Sequence, residues 1–441
     1  MVDFPPSAGS EELDPRFQRG SANYMDVIGK GQPRSVLAQE DVKALVSLAL
    51  QNWKLEGKRV VIIVPDGTRR APIPFFFQTL ATELYPRVKK LDYLIALGTH
   101  PPMQPDAICK RMGITPEERD GKYKSIGIFN HCWDDPRALA QLGVIGQEEM
   151  THFSSGMMPY ELSVRLNKRV LDYDQVVICG PVFPHEVVGF SGGYKYLFPG
   201  ISGPEVIDFT HWLGALQTSM KIIGTKETSV RAVIDRAASF VPTPVVGFCF
   251  VMQGDEMCGL YAGEIREAWS QAADLSAQVH IQYVDKPFNS AFCVIPEIYE
   301  DLWTAAKGMY KTEPAIADGG EVILYAPHIR VISYTHGKLL DDLGYHVRDY
   351  FVKQWERFKD YPLSVLAHST HACGSGTYET GVETPRLRLT LASRVPRDCC
   401  ERVGLGYLDP DTLNPEDFKG KEGVLFDPHA GEILYRLSGK K

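Results

Sequence analysis

Two periodicities divide this chain. From Ala38 onward the apolar positions Val42, Leu45, Val46, Ala49 and Leu50 recur at helical spacing, which gives one apolar helix face. Three apolar runs of strand length follow, at 60–64, 91–97 and 175–179, separated by helix-like stretches such as 75–84. That alternation predicts an α/β fold with a mostly parallel sheet. A fourth run, 244–252, has no polar tip and reads as structural. Beyond about Asp285 a second series appears at 291–295, 321–326, 363–367 and 387–392, with helices such as 298–309 between its members. The expected organisation is two α/β domains with mostly parallel sheets: an N-terminal domain over 1–285 and a smaller C-terminal domain over 286–415. The active site is expected in the cleft between them, a favoured place for ligands. In the tail, 416–441, two strand-like runs flank Asp427-Pro428-His429-Ala430-Gly431, a hairpin signal, and the tail can return to the first domain. Residues 1 to about 35, rich in Pro, Gly, Ser and charge, read as an extended lead-in.

The residues just past the first three runs carry the chemistry. Run 60–64 opens into Pro65-Asp66-Gly67-Thr68-Arg69, run 91–97 into Gly98-Thr99-His100, and run 175–179 into Gly180-Pro181-Val182-Phe183-Pro184-His185. Ligands of open α/β sheets bind outside the carboxyl ends of the strands, so three runs deliver polar side chains to one rim. The segment 184–211 adds Lys195, an amine nucleophile, and His211 to His185; histidine titrates near neutrality and is a common metal ligand. Taken alone, each residue has a plainer reading: His100 as a hydrogen-bonded histidine, Asp66 as a turn residue, Arg69 as a surface cation, Lys195 as a loop lysine. Their joint placement on one rim is what favours a site.

Composition narrows the partner. The 441 residues carry a formal charge of −8, which excludes a general nucleic-acid-binding surface and points to a small molecule. The nine cysteines are scattered, with only Cys399 and Cys400 adjacent, unlike a disulfide framework or a CxxC zinc site. A reduced, cytoplasmic setting is expected. The start, MVDFPPSAGSEELDPRF, lacks a signal-peptide pattern, and no run reaches about 18 apolar residues, so no membrane partner is expected.

Several familiar motifs fail. No GxGxxG follows the first run, and no GxxxxGK[ST] occurs. His185-Glu186 begins like HExxH, but Gly189 stands where the second histidine is needed. Gly189-Phe190-Ser191-Gly192-Gly193 matches GxSxG, the nucleophile elbow of serine hydrolases. That elbow needs a strand feeding the serine and a helix leaving it, whereas the run ends near Cys179 and Pro199-Gly200 interrupts any helix. His368, His371 and Cys373 form an H-x2-H-x-C cluster with metal-competent side chains, and read better as a polar strand-end loop lining a cleft.

Together, Asp66-Gly67-Thr68-Arg69, Gly98-Thr99-His100, Pro184-His185 and Phe190-Ser191-Gly192-Gly193-Tyr194-Lys195, with His211 sixteen residues later, resemble the nickel-pincer lactate racemase family of 2-hydroxyacid racemases and epimerases. The similarity is dense over about 60–215 and thinner beyond, where Lys307-Gly308 and Trp355 look like corresponding features. The resemblance implies a nickel-pincer nucleotide, a pyridinium mononucleotide carrying nickel, joined through a thioamide to Lys195, with His211 as a nickel ligand. It implies His100 and His185 as the acid/base pair, and Arg69, aided by Asp66 and Lys307, as the holder of the substrate carboxylate. Trp355 joins the cofactor side, and Gly192 and Gly193 would cradle the cofactor phosphate. The implied mechanism removes the hydroxyl proton to one histidine and the α-hydrogen as hydride to the cofactor, gives a transient 2-oxoacid, and returns hydride to the opposite face. Cofactor-building enzymes are implied partners.

Two positions depart from the family pattern. Arg70 replaces the usual proline after Arg69, and Thr304, beside Trp303, replaces a glutamine before Lys307. Both open the substrate to an acid larger or more polar than lactate, either a sugar acid such as gluconate or a dicarboxylic hydroxyacid. The alternatives are a serine hydrolase using Ser191 and a non-catalytic carboxylate- or metal-binding protein.

Overall fold

The run at 60–64 lies in the strand Arg59–Pro65, buried from Val60 onward, as a strand covered on both faces must be. It sits inside a seven-stranded sheet of a computed structural model that describes residues 26–439. On one side it pairs parallel with Lys90–Ala96, which pairs with Gly127–Asn130. On the other it pairs parallel with Gln175–Pro181, which pairs with Val245–Gln253. Two antiparallel strands, Glu256–Glu264 and Ile28–Gly31, complete that edge. The chain leaves Arg59–Pro65 toward one edge and re-enters on its other side at Gln175–Pro181. Strand order therefore reverses between these two, and such a switch point is where open sheets hold ligands.

The second sheet has five strands, all parallel, in the order Gly406–Leu408, Arg388–Ser393, Ile316–Ala326, Phe288–Val294, Val424–Asp427. One continuous apolar core runs from Val61 and Ile178 in the first sheet to Val322 and Leu391 in the second. The helix expected after Ala38 is Gln39–Asn52, with Val42, Val46, Ala49 and Leu50 buried.

Three expectations are corrected. The run at 363–367 is not a strand but the first half of the helix Leu363–Cys373. Ten of its eleven residues are buried, so no polar stripe announces the helical period, and a short apolar run alone cannot distinguish the two states. The helix expected over 298–309 is two short ones, Leu302–Ala305 and Lys307–Thr312. The tail hairpin does not form: Val424–Asp427 joins the five-stranded sheet, while Leu434–Leu437 pairs parallel with Ile281–Val284. Between them the loop docks across the molecule. Glu432 accepts hydrogen bonds from Arg70 (3.0 Å) and the Gly254 amide (2.8 Å), and Lys311 donates to the carbonyls of Gly431 and Glu432. Those long-range partners outcompete the turn signal.

Of the expected lead-in, residues 1–25 lie outside the described residues and its end supplies Ile28–Gly31. Among the described residues no helix is long and apolar enough to cross a membrane. All nine cysteines are unpaired.

Candidate active site

Asp66 follows the strand Arg59–Pro65 and is 6% exposed. Its Oδ1 accepts from the Thr68 amide (3.1 Å) and hydroxyl (2.6 Å), and the Thr68 hydroxyl oxygen accepts from Arg69 at 2.8 Å. Its other oxygen, Oδ2, lies 2.5 Å from Nδ1 of His100, which stands just past the strand Lys90–Ala96. Burial alone would raise the Asp66 carboxyl, but His100, Arg69 and Thr68 together hold it well below the usual carboxylate range. An ionised Asp66 can only accept, so His100 carries its proton on Nδ1 and leaves a lone pair on Nε2.

The third tip ends in a two-residue ladder, Pro184–His185 against Gly189–Phe190. There the Val187 amide donates to Nδ1 of His185 at 3.2 Å, so the neutral ring carries its proton on Nε2. Burial, reinforced by Lys195, Arg69 and Lys307, pushes the His185 pKa well below its ordinary value. Glu186 Oε2 stands 3.3 Å from the same Nδ1. Burial would raise Glu186, yet Lys307, His371 and Lys195 hold it below its ordinary value. The two histidines thus present opposite faces: His100 an acceptor, His185 a donor.

Lys195 lies in the short turn Gly193–Tyr196, after Gly192 at φ +80°. The loop beneath it is clamped. Trp269 donates to the Ser191 carbonyl at 2.7 Å, and fully buried Arg231, stacked on Trp269, donates to the carbonyls of Phe190 and Gly192. Burial and then Arg69 lower the Lys195 amine to about 7. His211 is on the helix Pro204–Gln217, and its Nδ1 donates to the Ile207 carbonyl at 2.6 Å. Ser191 is fully occupied: its hydroxyl donates to the Pro181 carbonyl (3.1 Å) and accepts from the Phe183 amide (3.0 Å). Only the two-residue strand Gly189–Phe190 leads into it and only the short turn Gly193–Tyr196 follows, not the long strand and helix of an elbow, which removes the support for a serine hydrolase.

A cavity of about 1050 Å³, part of it open solvent, brings together Arg69, His100, His185, Lys195, His211 and Lys307. Asp66 and Gly192 also border it. Burial, then Arg69, lower the Lys307 amine to about 8. Three expected residues stand elsewhere. Gly193 packs against Trp269, where an added Cβ would meet the ring at 2.8 Å. Thr304 is tied to Asp301, the cap of its helix, with its amide (3.1 Å) and hydroxyl (2.8 Å) both donating to that carboxylate, and Trp303 borders the cavity instead. Trp355 stacks on Trp212, beside His211, at 5.9 Å, and so supports the His211 helix from behind. Unforeseen wall residues are Glu186 and Tyr310, and His368 and His371 enter from the helix Leu363–Cys373 rather than from a strand-end loop. Only Glu186 had a sequence signal, its adjacency to His185. A smaller cavity of about 550 Å³ lies on the other side of Arg69, against Arg70, Phe183 and Lys311.

The residues fit the implied cofactor. His211, with Nδ1 donating to a carbonyl, keeps a lone pair on Nε2, as a metal-bound imidazole requires. Lys195 has an amine that is partly unprotonated near neutrality and so is able to form an amide-type bond. Among the described residues no three His, Cys, Asp or Glu side chains converge as a metal set. A metal here would draw its other ligands from a bound organic group.

Known proteins resemble this chain in sequence and in fold. The family description "lactate racemase N-terminal domain" matches residues 29–223. Lactate racemase of Thermoanaerobacterium thermosaccharolyticum is 24% identical over 283 residues, 62% of this chain and 60% of that protein. Lactate racemase of Lactiplantibacillus plantarum is 21% identical over 297 residues, 65% of this chain and 66% of that protein. The matched stretches thus span less than two thirds of these relatives' own length. A crystal structure of a Thermotoga maritima protein superposes with a TM-score of 0.85 at 31% identity, covering 92% of this chain and all of that one. The lactate racemase apoprotein of T. thermosaccharolyticum superposes at 0.65 and 15% identity, covering 92% and 90%, a likeness of fold.

Proposed function

This chain belongs to the lactate racemase family, and from that premise we propose that it is an isomerase that inverts the α-carbon of a 2-hydroxyacid in the cavity at the strand tips. The observation that carries the reading is that two histidines beside one guanidinium are engaged at Nδ1 by opposite kinds of partner, His100 by a carboxylate and His185 by a backbone amide. His100 offers a lone pair on Nε2, His185 offers an N–H on Nε2, and Arg69 is aimed by the Thr68 hydroxyl. A racemase must serve both configurations, so it needs a proton acceptor and a donor that can exchange roles.

Arg69 would hold the substrate carboxylate through parallel hydrogen bonds, with Lys307 as a second cation. His100 would take the proton of the C2 hydroxyl onto Nε2, and Asp66 would stabilise the resulting imidazolium through Nδ1–H. For the opposite configuration His185 must free its Nε2 and move its proton to Nδ1, where Glu186 stands ready to accept it. Lys195 and His211 would hold the nickel-pincer nucleotide, with Gly192 bordering the same cavity. When bound, that group supplies the acceptor for the α-hydrogen and its electron pair. The substrate we propose is larger or more polar than lactate, a sugar acid or a dicarboxylic hydroxyacid, and the setting cytoplasmic.

The test is a panel of enantiopure 2-hydroxyacids followed by chiral chromatography, with protein made alongside the cofactor-building enzymes. Inversion of at least one acid, lost in both His100→Ala and His185→Ala, is expected. Undiminished inversion in both variants would refute the assigned roles. Activity with an unmodified Lys195 by mass spectrometry, and no bound nickel, would sink the cofactor assignment.

A further inference from the structure

The helix Leu363–Cys373 borders the cavity through Ser364, His368 and His371, spaced four and three residues apart on one helical face. The mechanism uses none of them. His371 is 3% exposed, and neither of its ring nitrogens has a hydrogen-bond partner among the described residues. Buried polar atoms are nearly always partnered, so an imidazole unpartnered at both nitrogens in the wall of a cavity points to a ligand. His368 is held still for the same purpose, its Nε2 engaged by the Tyr345 hydroxyl at 3.2 Å and its ring stacked on Trp303 at 4.0 Å.

We propose that this helix face is the subsite for the part of the substrate beyond C2, and that it reads neutral hydroxyl groups. The proposal rests on the 2-hydroxyacid reading and decides between its two substrate classes. A neutral imidazole has one donor and one acceptor, the same pair a hydroxyl offers in return. Burial keeps both rings neutral, with His371 lowered to about 4. A second carboxylate would instead be desolvated against uncharged rings, close to the Glu186 carboxylate that also borders the cavity. An apolar side chain such as lactate's methyl would leave both His371 nitrogens buried and unpaired. The acid favoured is therefore a polyhydroxy monocarboxylate.

The experiment compares gluconate, 3-deoxygluconate, 2-hydroxybutyrate and malate, by inversion with the cofactor-loaded enzyme and by calorimetric binding to the unloaded chain. Wild type is expected to prefer gluconate over 3-deoxygluconate and malate by at least about 100-fold in kcat/KM, as sites built around a substrate hydroxyl do, and to rank them alike in binding. His371→Phe should cut that preference at least about tenfold, whereas His371→Gln, which keeps a donor and an acceptor, should retain most of it. Equal handling of gluconate and its 3-deoxy analogue by wild type, a preference for malate, or equal losses on all four acids in His371→Phe overturns the proposal. The wild-type comparisons hold even if a variant does not fold. A binding preference without inversion would fell the racemase reading and leave the subsite standing; inversion without the preference does the reverse.

Discussion

Replacing Asp66 by Asn probes the site where the chemistry is most concentrated. The carboxylate is almost wholly buried and shared, with Oδ1 on Thr68 and Oδ2 on His100. In Asp66→Asn the amide oxygen can keep both Thr68 bonds, so the link onward to Arg69 survives and the perturbation falls on His100. Two losses follow. The charge-assisted bond to the imidazolium, about 1.5–3 kcal/mol, disappears, a factor of roughly 10–150 in rate. The new amide N–H also donates toward Nδ1, which drives the His100 proton to Nε2 and removes the lone pair that accepts the substrate proton. The same substitution in a Ser–His–Asp triad lowers kcat by about 10⁴ through the wrong tautomer, so kcat here should fall by about 10² to 10⁴. KM should change by less than about threefold, because carboxylate binding is intact. Chiral chromatography in both directions measures this, and kcat/KM must drop equally each way, since the enzyme cannot move the equilibrium. A pH titration of unfolding supplies the control. A carboxylate depressed in the native state stabilises the fold above its unfolded value, near 3.8, and loses that contribution as pH falls through its native pKa; the variant should lack this acid limb. Activity within about threefold of wild type, or a loss confined to KM, would refute the role given to Asp66.

Two further outcomes are expected. In protein lacking cofactor, Lys195 should become reactive toward an amine reagent as pH rises through about 7, its lowered value, well below an ordinary lysine; peptide mass spectrometry at graded pH reads this, and half-labelling near pH 10 would contradict it. A fluorophosphonate probe should leave Ser191 unlabelled, and Ser191→Ala should cost about 1–3 kcal/mol in denaturant unfolding by stranding the Phe183 amide; labelling would reopen the hydrolase reading.

The first sheet is legible in the sequence because its strands are long, apolar and punctuated by polar tips, and those tips line the candidate site. Asp66, His100 and His185 could be placed together from the ends of three runs alone. The second half is less legible for physical reasons. Helix Leu363–Cys373 is buried nearly all round, so its histidines lacked the periodic frame that shows Ser364, His368 and His371 to be one face. The tail carries a turn signal, but Glu432 and Lys311 reach partners far away in sequence that no local pattern encodes. Thr304 and Trp303 are neighbours, and only the Asp301 cap decides which of them borders the cavity.

The docked tail loop has a consequence for how the protein comes into being. Arg70, next to Arg69, meets Glu432 across 362 residues of chain. At translation speeds of about 5–20 residues per second, that partner emerges roughly 20–70 s after Arg70 itself. Throughout that interval the nascent chain can hold the first sheet and its three tips while the crevice behind Arg69 stands open. The crevice behind Arg69 is thus completed last, when the tail strand Leu434–Leu437 pairs with Ile281–Val284 and brings Glu432 to Arg70.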